Sequence, residues 1–153
     1  MKKLLFLTII TSLFLFSACN KTEEKKDPFA GKTFVNENEW GESETYEFSN
    51  DGTACFTVTT KSENAIYTPS TYYKYLVDEE TETINFMILK YPFLQEDNSF
   101  VSLDYNELIK KDPEGKEAYD DVFSQIITYK YILMPSKLIF AGTYKNQEYK
   151  LKK

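Results

Sequence analysis

Past Pro28 the chain alternates apolar and polar residues in short runs divided by turn formers, the period-two signature of half-buried strands. Phe29 to Val35 is the first such run and predicts the opening strand. Glu44 to Ser49 sets Tyr46 and Phe48 against polar neighbours, and Thr53 to Lys61 returns rich in β-branched residues. Between them lies Asn50-Asp51-Gly52, whose residues tolerate positive φ, so the two runs predict a hairpin. Thr71 to Val77 and Thr83 to Lys90 predict a second pair around the polar Asp78–Glu82 turn, with Pro69 and Pro92 as its outer limits. Ile126 to Met134, Leu138 to Lys145 and Glu148 to Lys152 then form a meander. Its connections, Pro135-Ser136-Lys137 and Asn146-Gln147, are far too short for parallel crossovers.

One segment changes period. From Asp104 to about Gln125 the signals are helical. Asp104 can cap a helix, with Glu107 three residues on in the capping-box position. Asp112-Pro113 predicts a second start, with proline in the first turn, and Tyr119, Val122, Phe123 and Ile126 fall on one apolar stripe. Two short helices over an opening or an edge of the sheet are expected.

These elements suit a small barrel or a two-sheet sandwich. Closure would remove exposed strand edges, a hazard in a chain so rich in Tyr, Phe and Thr. The expected fold is therefore mainly β: an antiparallel up-and-down barrel of about eight strands, with one or two short helices near 104–125. Glu148 to Lys152 would be the closing strand.

Before this domain the pattern is different. Lys2 and Lys3 precede an apolar run, Leu4 to Phe16, broken only by Thr8, Thr11 and Ser12. As a helix it spans ~20 Å, short of the ~30 Å hydrocarbon core of a membrane. It reads instead as an export signal over residues 1–18. Phe16-Ser17-Ala18-Cys19 resembles the lipobox of bacterial lipoproteins, with small residues before the cysteine and Phe16 where leucine is usual. The resemblance implies cleavage before Cys19 and acylation of its thiol. Acyl chains contribute ~0.8 kcal/mol per buried methylene, and two or more hold a protein stably on a bilayer. Residues 20–28 have no apolar side chain except Pro28, so residues 19–28 form a lipidated cysteine and tether, and 29–153 a single domain. Asn20, not aspartate, follows Cys19, which favours the outer membrane or cell surface.

Composition narrows the function. The chain carries a net charge of -6, and loss of Lys2 and Lys3 with the signal leaves -8. Such a balance argues against nucleic acid, whose phosphates call for clustered positive charge. Histidine is absent, which removes Ser-His-Asp and Cys-His catalysis and histidine metal ligands; no cofactor is implied. The densest carboxylates, Glu79-Glu80-Thr81-Glu82 and Asp120-Asp121, sit in a polar turn and on a helix surface, where the pKa of an acid catalyst is not raised. With Cys19 lipidated, Cys55 has no disulfide partner and reads as a buried small residue beside Phe56 and Val58.

The domain is similar to the lipocalin-like lipoproteins of bacteria over about 29–153. The resemblance rests on Phe29-Ala30-Gly31-Lys32-Thr33-Phe34 at the first strand, the hairpins after it and the terminal meander. It departs from lipocalins in having Thr33 where their tryptophan stands, no arginine, and helices before the last three strands. It implies a barrel with a ligand site inside. Aromatics make up 16% of the chain, so they are the natural lining. At strand spacing Tyr73 and Tyr75 share one face and Tyr72 takes the other. Tyr46, Phe48, Phe56, Tyr73, Tyr75, Phe86, Tyr129 and Tyr131 are the candidate contacts for a small hydrophobic ligand. The alternative is a protein-interaction or inhibitor module that meets an envelope or host protein through exposed Tyr-rich strands, Tyr144 among their residues. A carboxylate-dependent hydrolase would need two acids converging in a cleft.

Overall fold

The structure is a computed structural model that describes residues 26–63, 65–141 and 146–153. The signal, Cys19, most of the tether and Tyr144 lie outside the described residues. Among the described residues ten strands and two helices follow one another: β1 Thr33–Glu37, β2 Ser43–Phe48, β3 Thr53–Lys61, β4 Ile66–Tyr67, β5 Ser70–Asp78, β6 Thr83–Leu94, β7 Phe100–Leu103, α1 Tyr105–Lys111, α2 Lys116–Ser124, β8 Ile126–Met134, β9 Lys137–Ala141 and β10 Gln147–Leu151.

Eight of these strands close an antiparallel up-and-down barrel in the order β1-β2-β3-β5-β6-β8-β9-β10. The last turns back onto the first, with Phe34 opposite Leu151 and Val35 opposite Lys150. The β2–β3 turn is the one the sequence predicts. Gly52 takes φ +76°, and the Asp51 carboxylate accepts from the Thr53 amide at 3.0 Å, fixing the reversal. β4 only extends the far end of β3, and β7 pairs with the far end of β6.

The chain does not enter as a strand. Phe29 to Lys32 forms a turn, with the Lys32 amide donating to the Phe29 carbonyl at 3.0 Å and Gly31 at φ +72°. That left-handed glycine interrupts the apolar run and tips Phe29 into the barrel, so the first strand starts at Thr33. Phe29 is fully buried, and its ring meets Phe48 and Tyr131 at 5.0 Å each. Full burial of such a ring is worth ~2–3 kcal/mol. Phe29 is the floor of the barrel.

Two further expectations are corrected. Pro92 does not end a strand: β6 runs to Leu94, and beyond Lys90 it pairs only with β7. One edge of β6 is free there, so a residue without an N–H is tolerated. The second helix begins at Lys116 rather than at Pro113, with Gly115 as its N-cap. Asp112 instead closes α1, and its carboxylate accepts from the Gly115 amide at 3.2 Å and the Tyr119 hydroxyl at 2.8 Å. Ile126, expected on the helical stripe, is the exposed first residue of β8.

α1 has the predicted capping box, Asp104 accepting from the Glu107 amide at 2.9 Å and Glu107 accepting from the Asp104 amide at 3.0 Å. The two helices pack on each other and on β6. Lys111 sits over the Phe93 ring, 5.7 Å from its centroid, on the part of β6 that projects past the barrel. The helices buttress that projecting ribbon. The barrel thus has a floor at the Phe29 end and a rim at the end where β1 meets β2 and β6 projects.

Candidate functional site

Period two on a closed wall sends alternate side chains inward, and all eight candidate aromatics take that side. Tyr46, Phe48, Tyr73, Tyr75, Phe86 and Tyr131 are buried, and Phe56 and Tyr129 pack partly buried against them. Tyr72, one residue out of phase, faces outward at 41% exposure, as the alternation predicts.

The rings fill the middle of the barrel. Phe86 is the hub, 5.3 Å from Tyr73, 5.7 Å from Tyr46 and 6.2 Å from Phe140 by centroid. Such edge and tilted contacts add ~0.5–1.5 kcal/mol per pair beyond burial. Because Tyr46 on β2 meets Phe86 on β6 and Phe140 on β9, the rings touch across the barrel. Sequence reasoning missed Phe34, Phe140 and Tyr149, all within this cluster. The parity of β9 and β10, Leu138 with Phe140 and Tyr149 with Leu151, carries that signal.

The floor and the rim end differ in polarity. At the floor the Tyr75 hydroxyl donates to the Asp27 carboxylate, and burial with that hydrogen bond pushes the phenol pKa up. Toward the rim, Tyr149 donates to Glu44 Oε2 at 2.7 Å, and burial followed by that bond raises its pKa strongly. Glu44 lies two residues before Tyr46 on β2, hence on the same inner face, and is half-buried.

Tyr46, 6% exposed, lies beside Tyr149 at this end. Burial raises its pKa most, and the Tyr149, Tyr129 and Tyr73 phenols and the Glu44 carboxylate, gathered around it, add to the shift. Tyr73, desolvated in the same cluster, is pushed up to about 12. Among the described residues nothing hydrogen-bonds the Tyr46 hydroxyl, yet no fully enclosed side-chain oxygen or nitrogen lacks a partner. The 6% of Tyr46 that remains exposed therefore includes its hydroxyl.

The wall is also split on this side. Pairing of β1 with β10 stops after Val35–Lys150, although the same register would place Asn36 opposite Tyr149 and Glu37 opposite Glu148. Glu148 is held instead by Lys137 on β9, Nζ to Oε2 3.0 Å. A groove of about 840 Å³ lies along this seam, bordered by Val35, Glu37, Thr45, Glu148 and Lys150. A smaller recess of about 220 Å³ lies at the rim, lined by Asn36, Glu44, Val58 and Thr60 among others. Both border the β1–β2 turn, where Trp40 is 72% exposed.

Other candidate chemistry is dispersed. Cys55 is half-buried on the outer wall, opposite Glu47 and Tyr72, not in the core, because Ala54 and Phe56 take the inner positions. Glu79, Glu80 and Glu82 are exposed around the β5–β6 turn, and Asp120 is held on α2 by Lys116 and Tyr105. Among the described residues no three His, Cys, Asp or Glu side chains are grouped to hold a metal. Comparison with known proteins finds no family model, no curated protein and no solved structure that matches this chain.

Proposed function

We propose that the chain is an exported envelope lipoprotein, held to the membrane through lipid on Cys19, whose lipocalin-like barrel binds a small apolar or aromatic molecule at its rim end. One observation supports the binding reading: the rim end of the closed barrel has a recess of about 220 Å³, lined by Asn36, Glu44, Val58 and Thr60 among others, above the ring cluster. Small-molecule sites have this make-up, apolar walls with a few polar groups that fix orientation. The ring-filled middle of the barrel limits the ligand to the space above Tyr46 and Phe86, and so to a small body. Closed barrels of eight strands have interiors suited to side chains or one small ligand.

The protein-interaction alternative rests on a set of exposed tyrosines, and of Tyr72, Tyr73, Tyr75, Tyr129 and Tyr131 only Tyr72 faces outward. Ligand binding is therefore the reading retained.

Native mass spectrometry of the chain, purified without denaturation from the cells that make it, tests the binding reading. A reproducible added mass that is lost on denaturation is expected, and Val58→Trp, which fills the rim recess, should abolish it. A bare mass, with no uptake from a panel of small aromatic and aliphatic compounds, would overturn the reading. Cys19→Ala tests the anchor separately: labelling by radioactive palmitate and partition into detergent should both disappear.

A further inference from the structure

A second recess lies at the floor, where the chain enters the barrel. It has a volume of about 310 Å³ and is lined by Asp27, Pro28, Tyr75, Leu76, Glu79 and Glu80 among others. Asp27 reaches inward there, one oxygen accepting from the Tyr75 hydroxyl and the other from the Phe29 amide at 2.9 Å. Pro28 bars the residue before it from the helical region, so the entry is extended at Asp27. Successive side chains of an extended chain point to opposite sides, and Lys26 is accordingly exposed.

One side of the recess is acidic and another is apolar. The β5–β6 turn brings Asp78, Glu79 and Glu80 to it, the Asp78 carboxylate accepting from the Glu80 and Thr81 amides at 2.9 and 3.3 Å. The charges converge on the floor: after burial, Glu79, Glu82, Asp78 and Asp27 all push the Tyr131 phenol pKa up. Leu76, 57% exposed, gives the recess an apolar wall that no described residue covers. Its lining includes no lysine, whereas the sequence that leads into it, Lys21-Thr22-Glu23-Glu24-Lys25-Lys26, carries three.

We infer that the segment joining Cys19 to the barrel, residues 20–25, docks through Lys25 into this floor recess. By the alternation at Asp27 and Lys26, position 25 returns to the Asp27 side, and two extended residues span only ~7 Å. The Lys25 ammonium then lies beside Glu79 and Glu80, with its methylene stem over Leu76 and Pro28. Lysine suits such a place, since its stem packs on apolar surface while its charge stays near water. Glu24 falls with Lys26 on the outer side, away from the acidic turn. The docking fixes where the tether leaves the barrel. For orientation on a membrane it rests on the proposed acylation of Cys19: the six residues back to Cys19 span at most ~20 Å, so the floor faces the bilayer and the rim recess faces away.

Trypsin tests the docking on the chain purified without denaturation from the cells that make it, with cleavage after Lys21 and after Lys25 followed separately by mass spectrometry. A synthetic peptide of residues 20–30 supplies the ratio of the two rates without a barrel. In the folded chain cleavage after Lys25, relative to Lys21, should be slowed about fivefold or more against that peptide. Nearness of the barrel alone would also slow the protease, but it would be indifferent to charge. Glu79→Gln combined with Glu80→Gln, and separately about 0.5 M sodium chloride on the wild type, should therefore each bring the ratio most of the way back to that of the peptide. The peptide ratio in the wild type, or protection that neither change reduces, would overturn the inference. If the double variant fails to fold by circular dichroism, the salt comparison still decides. Cys19→Ala should leave the protection intact. Failure of the anchor would thus remove the orientation on the membrane and leave the docking standing, so the two readings fail separately.

Discussion

Raising the pH should unfold this barrel sharply above pH 10, and the magnitude follows from four buried phenols. Tyr46, Tyr73, Tyr75 and Tyr149 are each at least nine-tenths buried, and burial is the first cause raising each above the usual tyrosine pKa of about 10. A phenol of this kind keeps its proton in the folded state after the unfolded chain has lost it. Its contribution is fully present below pH 10 and is lost as pH rises from there towards the folded value. Each phenol that ionises only on unfolding costs ~1.4 kcal/mol one unit above pH 10, so at pH 11 the four together remove about 6 kcal/mol. That falls at the lower end of the stability of ordinary small domains, ~5–15 kcal/mol. Tyr73, at about 12, stops contributing first, whereas the other three continue to erode stability beyond that point. Tyrosinate absorbance and far-ultraviolet circular dichroism recorded in one titration provide the assay. Exposed phenols should titrate early, and the final part of the absorbance rise should coincide with loss of the strand signal. Tyr46→Phe removes one of the four protons and should move the unfolding midpoint to higher pH. Complete tyrosine ionisation near pH 10, with the circular dichroism intact, would refute the reasoning: water would then reach rings that the structure packs against one another.

Three further outcomes test separate parts of the fold. Phe29→Ala removes the floor ring and should cost about 3–5 kcal/mol in urea unfolding, against under 1 kcal/mol for Phe29→Leu if only bulk mattered. Glu37→Lys sets a cation where an extended β1–β10 ladder would face Glu148, an attractive pair worth ~0.2–1 kcal/mol that would lengthen the ladder. Slower hydrogen exchange at residues 36–37 and 148–149 should report it; unchanged exchange would show that the ladder does not lengthen. Asp104→Ala removes one half of the α1 capping box and should cost ~1 kcal/mol. The loss should appear as faster exchange within α1 while the barrel amides keep their protection, because the helices pack on the projecting part of β6.

Much of the fold is legible in the chain because the alternation is strict where the wall is half-buried. Tyr46 with Phe48, Tyr73 with Tyr75 and Tyr129 with Tyr131 each mark an inner face, and the structure puts all six inside. The β2–β3 turn and the Asp104 cap are equally readable, because each is a local hydrogen-bonded motif carried by adjacent residues. Errors arise where one residue's local signal has two readings. Phe29-Ala30-Gly31 has the polarity of a strand, but Gly31 takes a left-handed conformation, and the segment becomes a plug. Pro92 is a strand breaker only where both edges are paired, and whether an edge is free depends on β7, a four-residue strand too short to announce itself. Asp112-Pro113 has the look of a helix start, yet the Asp112 carboxylate serves as an acceptor between two helices.

The candidate site divides along the same line. Its walls are legible because each aromatic belongs to an alternating run that states its face by itself. The polar part is not, because it is made by closure. Glu44 and Tyr149 are 105 positions apart and meet only when β10 returns to β1, beside which β2 already lies. In the sequence Glu44 is one acid among 24 Asp and Glu, with nothing in its neighbours to mark it. The same holds for the seam, since Glu37 and Glu148 become opposed only in the register that the first two pairs of the β1–β10 ladder impose. What distinguishes Glu44 from the exposed acids of the β5–β6 turn is its inner position two residues from Tyr46, where solvent is partly excluded and no lysine follows.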